Sequence, residues 1–180
     1  LKKLVQNLQN YLKIKRTISV LEMKVLSNPI PTATRGDIID LSSENNTEEL
    51  ANQILNKIKI GDVVFLYGEM GVGKTTFIRY LINKFQKDND LKITEVTSPT
   101  FNLLNQYEIN QIKIDHYDLF RLKSFEEVKN LDLFEDSTDR IILIEWPQII
   151  KKKPKNLIEL NFEYGEDYQT RSVQIKGINF

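Results

Sequence analysis

An α/β fold with a mixed central sheet, parallel in its core and extended by antiparallel hairpin strands, is predicted by three features of this 180-residue chain. Short apolar runs at Val63–Tyr67 and Ile141–Ile144 read as strands buried on both faces, the habit of parallel strands. A glycine-rich loop follows the first run and leads into a helix with Phe77, Ile78, Leu81, Ile82 and Phe85 on one side. Two further stretches, 101–117 and 157–175, alternate apolar and polar residues as hairpins do. Helices are expected to flank the sheet.

Taken in order, residues 1–37 read as an extension and linker. Leu4, Val5, Leu8, Tyr11 and Leu12 have helical spacing, and Ser27–Gly36 is rich in turn residues. The alternative for this stretch is a docking helix for a partner. The domain proper is expected over 38–180. It opens with a short strand at Ile38–Leu41. Asn46 and Glu49 form a capping-box-like start for a helix carrying Leu50, Ala51, Ile54, Leu55 and Ile58. Gly61-Asp62 turns the chain into the first buried strand. Phe101–Tyr107 and Gln111–Tyr117 form a hairpin around Asn110. On its second strand Ile112, Ile114, His116 and Asp118 share one face. Ser124 with Glu127 caps a helix to about Leu131. Leu157–Tyr164 and Gln169–Ile175 close the chain as a hairpin with one wet face.

Composition narrows the chemistry. Lys+Arg and Asp+Glu are balanced at 25 each, so the formal net charge is zero, and hydrophobic residues make up 41%. Disorder and gross attraction to nucleic acid are both disfavoured. Cysteine is absent and His116 is the single histidine, which removes disulfides, Cys-ligated metals, Cys nucleophiles and His-rich sites. No apolar run approaches a membrane span, and no apolar stretch of signal-peptide type follows Lys2 and Lys3. A cytoplasmic protein without membrane or DNA binding is expected.

Gly68-Glu69-Met70-Gly71-Val72-Gly73-Lys74-Thr75 satisfies G-x-x-x-x-G-K-[ST] at every fixed position, between a buried strand and an amphipathic helix as the motif requires. Loop N–H groups then form an anion cradle, and the helix that starts near Lys74 adds its positive end. Lys74 can reach the β- and γ-phosphates, and Thr75 can offer its hydroxyl to Mg²⁺. No Asn-Lys-x-Asp base reader follows a strand, since Asn83-Lys84-Phe85-Gln86 lacks the Asp and lies in a helix, so ATP is preferred to GTP.

Such a site needs a carboxylate at the end of a neighbouring strand. Glu145 ends Ile141–Ile144 and can hold Mg²⁺ through water or polarise the attacking water; a surface Glu is the bland alternative. Asp118 can coordinate Mg²⁺, sense the γ-phosphate, or merely cap the Leu119–Leu122 turn. Trp146 is either core or a neighbour of nucleotide or partner. His116 is either a structural histidine or a base. Arg121 can meet phosphate or a local acid. Ser98-Pro99-Thr100 reads as a switch segment or an ordinary turn. Lys151–Lys155 is the only basic run, solvated or facing RNA or an acidic partner.

In this order, Asn46–Ala51, Gly61-Asp62, Gly68–Thr76, Ser98-Pro-Thr-Phe101, His116-Tyr-Asp-Leu-Phe-Arg-Leu122 and Ile144-Glu-Trp-Pro147 resemble the bacterial TsaE (YjeE) ATPases of tRNA threonylcarbamoyladenosine synthesis. The resemblance covers about residues 40–180 and leaves out 1–37. It implies a P-loop α/β fold and Mg²⁺-dependent ATP hydrolysis that supports a TsaB–TsaD enzyme. That enzyme modifies the adenosine beside the anticodon of ANN-decoding tRNAs, which allows this chain an indirect association with tRNA and leaves direct contact open. By motif position it implies that Lys74, Thr75 and Thr76 serve phosphate and metal, that hydrolysis depends on Asp118 and Glu145, and that Trp146 is a neighbour of the site. A small P-loop kinase and a non-hydrolysing ATP sensor are the competing readings. The six Arg residues form no lid segment of the sort a kinase uses.

Overall fold

A computed structural model describes residues 38–135 and 137–178. The extension expected over 1–37 lies outside them. Seven strands form one mixed sheet: β1 (Ile38–Asp40), β2 (Val63–Tyr67), β3 (Leu104–Ile109), β4 (Ile112–Asp118), β5 (Arg140–Glu145), β6 (Leu157–Tyr164) and β7 (Arg171–Lys176). Their spatial order is β1-β7-β6-β2-β5-β4-β3. β6, β2, β5 and β4 run parallel, while β3 and the pair β7 and β1 extend the two sides antiparallel. The predicted mixed sheet is therefore present.

Two helices, α1 (Glu44–Leu55) and α2 (Lys74–Asp88), cover one face of the sheet. Leu50, Ala51 and Ile54 of α1 and Phe77, Ile78, Leu81 and Ile82 of α2 pack there with Val64, Leu66, Ile114, Leu143, Leu160 and Phe162. Full burial of one such side chain is worth roughly 1.5–3 kcal/mol. On the other face Val63, Phe65, Ile142 and Ile144 pack with Tyr117, Leu119, Val128 and Leu133, around the short helix α3 (Phe125–Lys129). Both faces of β2 and β5 are thus covered, which explains their unbroken apolar runs.

Several boundaries differ from the sequence expectation, each for a local reason. Ser43, not Asn46, caps α1: it is extended, and its hydroxyl accepts from the Asn46 N–H at 3.2 Å. The Asn46 amide instead reaches back to the Asp40 carbonyl. α1 ends before Ile58, which still packs on the core. β3 starts at Leu104 rather than Phe101, because the Leu103 N–H closes a turn onto the Pro99 carbonyl and Phe101 is 84% exposed. α3 stops at Lys129, short of Leu131. Asp167 draws the N–H groups of Gln169 and Thr170 into a turn, so β7 begins only at Arg171.

The β3–β4 hairpin is closed by Asn110 and Gln111, both with positive φ, between the paired Ile109 and Ile112. A two-residue turn of this kind favours Asn-Gly, and Gln bears the cost of a Cβ in the left-handed region. Gln111→Gly is expected to stabilise the protein by about 0.5–1 kcal/mol, read as a higher denaturant midpoint at unchanged slope.

Candidate functional site

The loop between β2 and α2 emerges at the carboxyl end of the parallel strands, where α/β sheets place ligands. Gly68 leaves β2 with φ +134, and a Cβ there would sit 2.6 Å from the Phe162 carbonyl oxygen. No other residue type passes that point without moving β6. At the loop's far side the Tyr164 hydroxyl donates to the Met70 carbonyl, tying the loop apex to β6. The loop then closes on Gly73, and α2 begins at Lys74 with no side chain capping its first N–H groups. Those groups, with the helix dipole behind them, are directed at an anion.

Lys74 is 4% exposed. Its ammonium donates to the carbonyls of Gly68 and Glu69, each at 2.8 Å, and lies 4.1 Å from the centre of the Trp146 ring. Burial draws its pKa below the usual lysine range, and the nearby charges of Glu145 and Asp118 oppose that pull. Thr75 follows Lys74 in the first turn of α2. Its hydroxyl donates to Glu145, 2.8 Å from Oε1 and 3.0 Å from Oε2.

Glu145 and Asp118 end β5 and β4 as directly paired residues, and His116 pairs with Leu143. All three polar side chains continue the sheet face that carries Ile114 and Leu143 into the core. They are buried, with Glu145 at 3% and His116 at 0% exposure. Buried polar groups need partners. His116 Nε2 is 2.9 Å from Glu145 Oε1. Asp118 Oδ2 accepts from the hydroxyls of Ser98 and Thr100, each at 2.6 Å, and Oδ1 accepts the Phe120 N–H at 2.9 Å. The turn-capping role open in the sequence is thus real, and the same carboxylate also holds the Ser98–Thr100 segment. Trp146 follows Glu145 in a left-handed conformation, φ 59, which costs a non-glycine residue of order 1–3 kcal/mol. Strain of that size beside a buried acid marks a constrained site.

These groups line one cleft of about 270 Å³. Met70, Gly71, Gly73, Lys74, Thr75 and Thr76 form its loop side; Ser98, Thr100, Asp118, Glu145 and Trp146 face them. Of the loop positions singled out in the sequence, Gly68 and Glu69 contribute carbonyls to Lys74, and Val72 is buried core rather than cleft. Arg121 lies over the Phe101 ring. Within the basic run, Lys151 covers Phe125 and Lys153 pairs with Glu159. Sequence reasoning missed Phe120, which lines the cleft and packs on Trp146 with ring centres 4.8 Å apart. Its place two residues after Asp118 was the available signal. Among the described residues no helix is long and apolar enough to cross a membrane.

The family described as "Threonylcarbamoyl adenosine biosynthesis protein TsaE" matches residues 41–173. Curated proteins named "tRNA threonylcarbamoyladenosine biosynthesis protein TsaE" are similar along most of their length. The one from Rickettsia conorii is 44% identical over 124 residues, 68% of this chain and 69% of its own. The one from Rickettsia typhi is 40% identical over 141 residues, 78% of this chain and 94% of its own. The one from Aquifex aeolicus is 36% identical over 118 residues, 66% of this chain and 80% of its own. Among solved structures, Bacillus subtilis YdiB superposes with a TM-score of 0.58 at 20% identity, over 79% of this chain and 87% of that one. The fold it shares is of the P-loop type.

Proposed function

The chain belongs to the TsaE family of tRNA threonylcarbamoyladenosine biosynthesis proteins, and from that premise we propose that it is a Mg²⁺-dependent ATPase whose hydrolysis activates or resets a TsaB–TsaD enzyme. The observation that carries this reading is the hydrogen bond from Thr75 to Glu145 across the mouth of the Gly68–Thr75 loop. It joins a hydroxyl at a helix N-terminus to a strand-end carboxylate, the two oxygen donors that P-loop enzymes set around a metal–phosphate unit.

The residues fit magnesium. Thr75 and Glu145 offer hard oxygen donors, and among the described residues no group of three or more His, Cys, Asp or Glu could hold an ion alone. Hard oxygen donors suit a cation whose shell is completed by phosphates and water. When bound, magnesium would neutralise charge on the β- and γ-phosphates. Lys74 spends two of its three N–H donors on loop carbonyls and keeps the third for a phosphate oxygen. Loop N–H groups hold the β-phosphate. Glu145 orients the water whose oxygen bonds to the γ-phosphorus as the bridging oxygen leaves with ADP. Asp118, joined to Ser98 and Thr100, links the γ-phosphate region to the half-buried segment that leads to exposed Phe101.

A protein partner is supported by Met70 and Phe120, which line the cleft and are 65% and 45% exposed, and by Phe101, next to the lining Thr100 and 84% exposed. Ordering of the Ser98–Phe101 segment by the partner would raise turnover. The test measures free phosphate from ATP and Mg²⁺ with the chain alone and with TsaB and TsaD added. Slow release alone, about tenfold or more faster with both partners and stopped by chelating Mg²⁺, is expected. Phosphate appearing on an acceptor molecule, or tight ATP binding without product when partners are present, overturns the reading.

A further inference from the structure

We propose that His116 positions Glu145 and divides the two carboxylate oxygens between separate tasks. The inference rests on the ATPase reading above and concerns how one acid serves both metal and water. His116 is wholly buried on β4, with Nε2 2.9 Å from Glu145 Oε1. The same Oε1 receives the Thr75 hydroxyl at 2.8 Å. A carboxylate oxygen has two good acceptor directions, so these two donors fill Oε1. Oε2 is left with only the longer, shared contact to that hydroxyl, and its acceptor capacity is available to water in the cleft.

The carboxylate accepts only, so the tautomer that fits carries its proton on Nε2. Nδ1 then sits buried with no partner among the described residues. A residue kept for packing would not bring an unpaired polar atom into the sheet, since Leu or Phe fills such a slot without one. Among the described residues the one polar contact of the His116 ring is to Glu145, and this locates its role there. With Nε2 in place the carboxylate cannot turn about its Cγ–Cδ bond. Oε1 stays with Thr75, beside the metal position, and Oε2 stays toward the attacking water. His116 touches neither nucleotide nor metal, so it is a positioning residue.

Four proteins test this: His116→Phe, His116→Gln, His116→Asn, and His116→Phe combined with Glu145→Gln. Turnover, KM for ATP and the Mg²⁺ concentration that half-saturates nucleotide quenching of Trp146 fluorescence are measured. His116→Phe is expected to lower kcat about 10- to 100-fold and raise the half-saturating Mg²⁺ severalfold, with KM for ATP within about threefold. His116→Gln, whose amide N–H reaches roughly as far as Nε2, is expected to recover most of the loss; His116→Asn, which stops near the Nδ1 position, is not. In the Glu145→Gln background, replacing His116 should change kcat by less than about twofold, because the residue it acts through is already altered. An unchanged kcat in His116→Phe, an equal fall in that double variant, or equal activity of the Gln and Asn variants overturns the proposal. If His116→Phe does not fold, the Gln and Asn pair decides. A wild-type protein that quenches with nucleotide but releases no phosphate defeats the ATPase reading instead, and the Mg²⁺ titrations still score His116.

Discussion

Lys74→Met is expected to weaken ATP binding by about a hundredfold or more while leaving the free protein folded. The ammonium stands between two loop carbonyls and the cleft, and is 4% exposed. A charge-assisted hydrogen bond to phosphate is roughly twice as strong as a neutral one, and the low-dielectric setting strengthens it further. Lys74 also offsets Glu145 and Asp118, whose charges would otherwise face a triphosphate unopposed. Methionine keeps the unbranched stem and sets its sulfur near the Trp146 ring, so packing is preserved. The buried cation that disappears was itself costly to desolvate, so the thermal midpoint of the free protein should shift by no more than a few degrees. Calorimetric titration is the right measurement, because Trp146 touches Lys74 and its fluorescence baseline changes with the substitution. A dissociation constant within about threefold of wild type would remove Lys74 from phosphate recognition. Lys74→Arg should not rescue binding, since a planar guanidinium does not fit a slot shaped for an ammonium.

Glu145→Gln should lower kcat by about 10²–10³ with nucleotide affinity changed only severalfold. The amide is isosteric, and its carbonyl still accepts from His116 or Thr75. What it loses is the negative charge and one of the two acceptor oxygens, and on the proposed reading the means to orient the attacking water goes with them. Glu145→Ala removes the acceptor of both Thr75 and His116 and leaves the buried His116 ring and the half-buried Thr75 hydroxyl without it. It mixes a stability loss with the catalytic one, so the amide is the cleaner variant. Both should be assayed with TsaB and TsaD present. Turnover equal to wild type in either would exclude Glu145 from the chemistry.

The elements that local pattern specifies were legible in the sequence. The Gly68–Thr75 motif, the apolar faces of α1 and α2, and the side of β4 shared by Ile114, His116 and Asp118 all reappear, because period and spacing are written along the chain. The sheet order was less accessible. β6 inserts beside β2, parallel to it, and β1 pairs with β7. Such pairings join residues far apart in the chain, and alternation cannot say which edges meet. Cap assignment failed at Ser43 because Asn46 and Glu49 fit the same spacing rule, and the choice turned on the backbone of the preceding residue. Within the site, the acids were foreseeable from strand ends, but their partners were not. That Glu145 is shared by Thr75 and His116, and Asp118 by Ser98 and Thr100, follows from where four separate segments converge.

The direct pairing of Asp118 with Glu145 sets where this sequence can change length. A single residue inserted or deleted within β4 or β5 would turn one acid to the opposite side of the sheet and carry its apolar neighbours with it. Packing and chemistry would be lost in the same step, with no intermediate form that folds but is inactive. The connection 119–139 behaves differently beyond Leu119 and Phe120. It must keep Val128 and Leu133 on the sheet, but its exposed turns can change length with little effect on the two acids. Length variation across the family should therefore gather between the two strands and be missing within them.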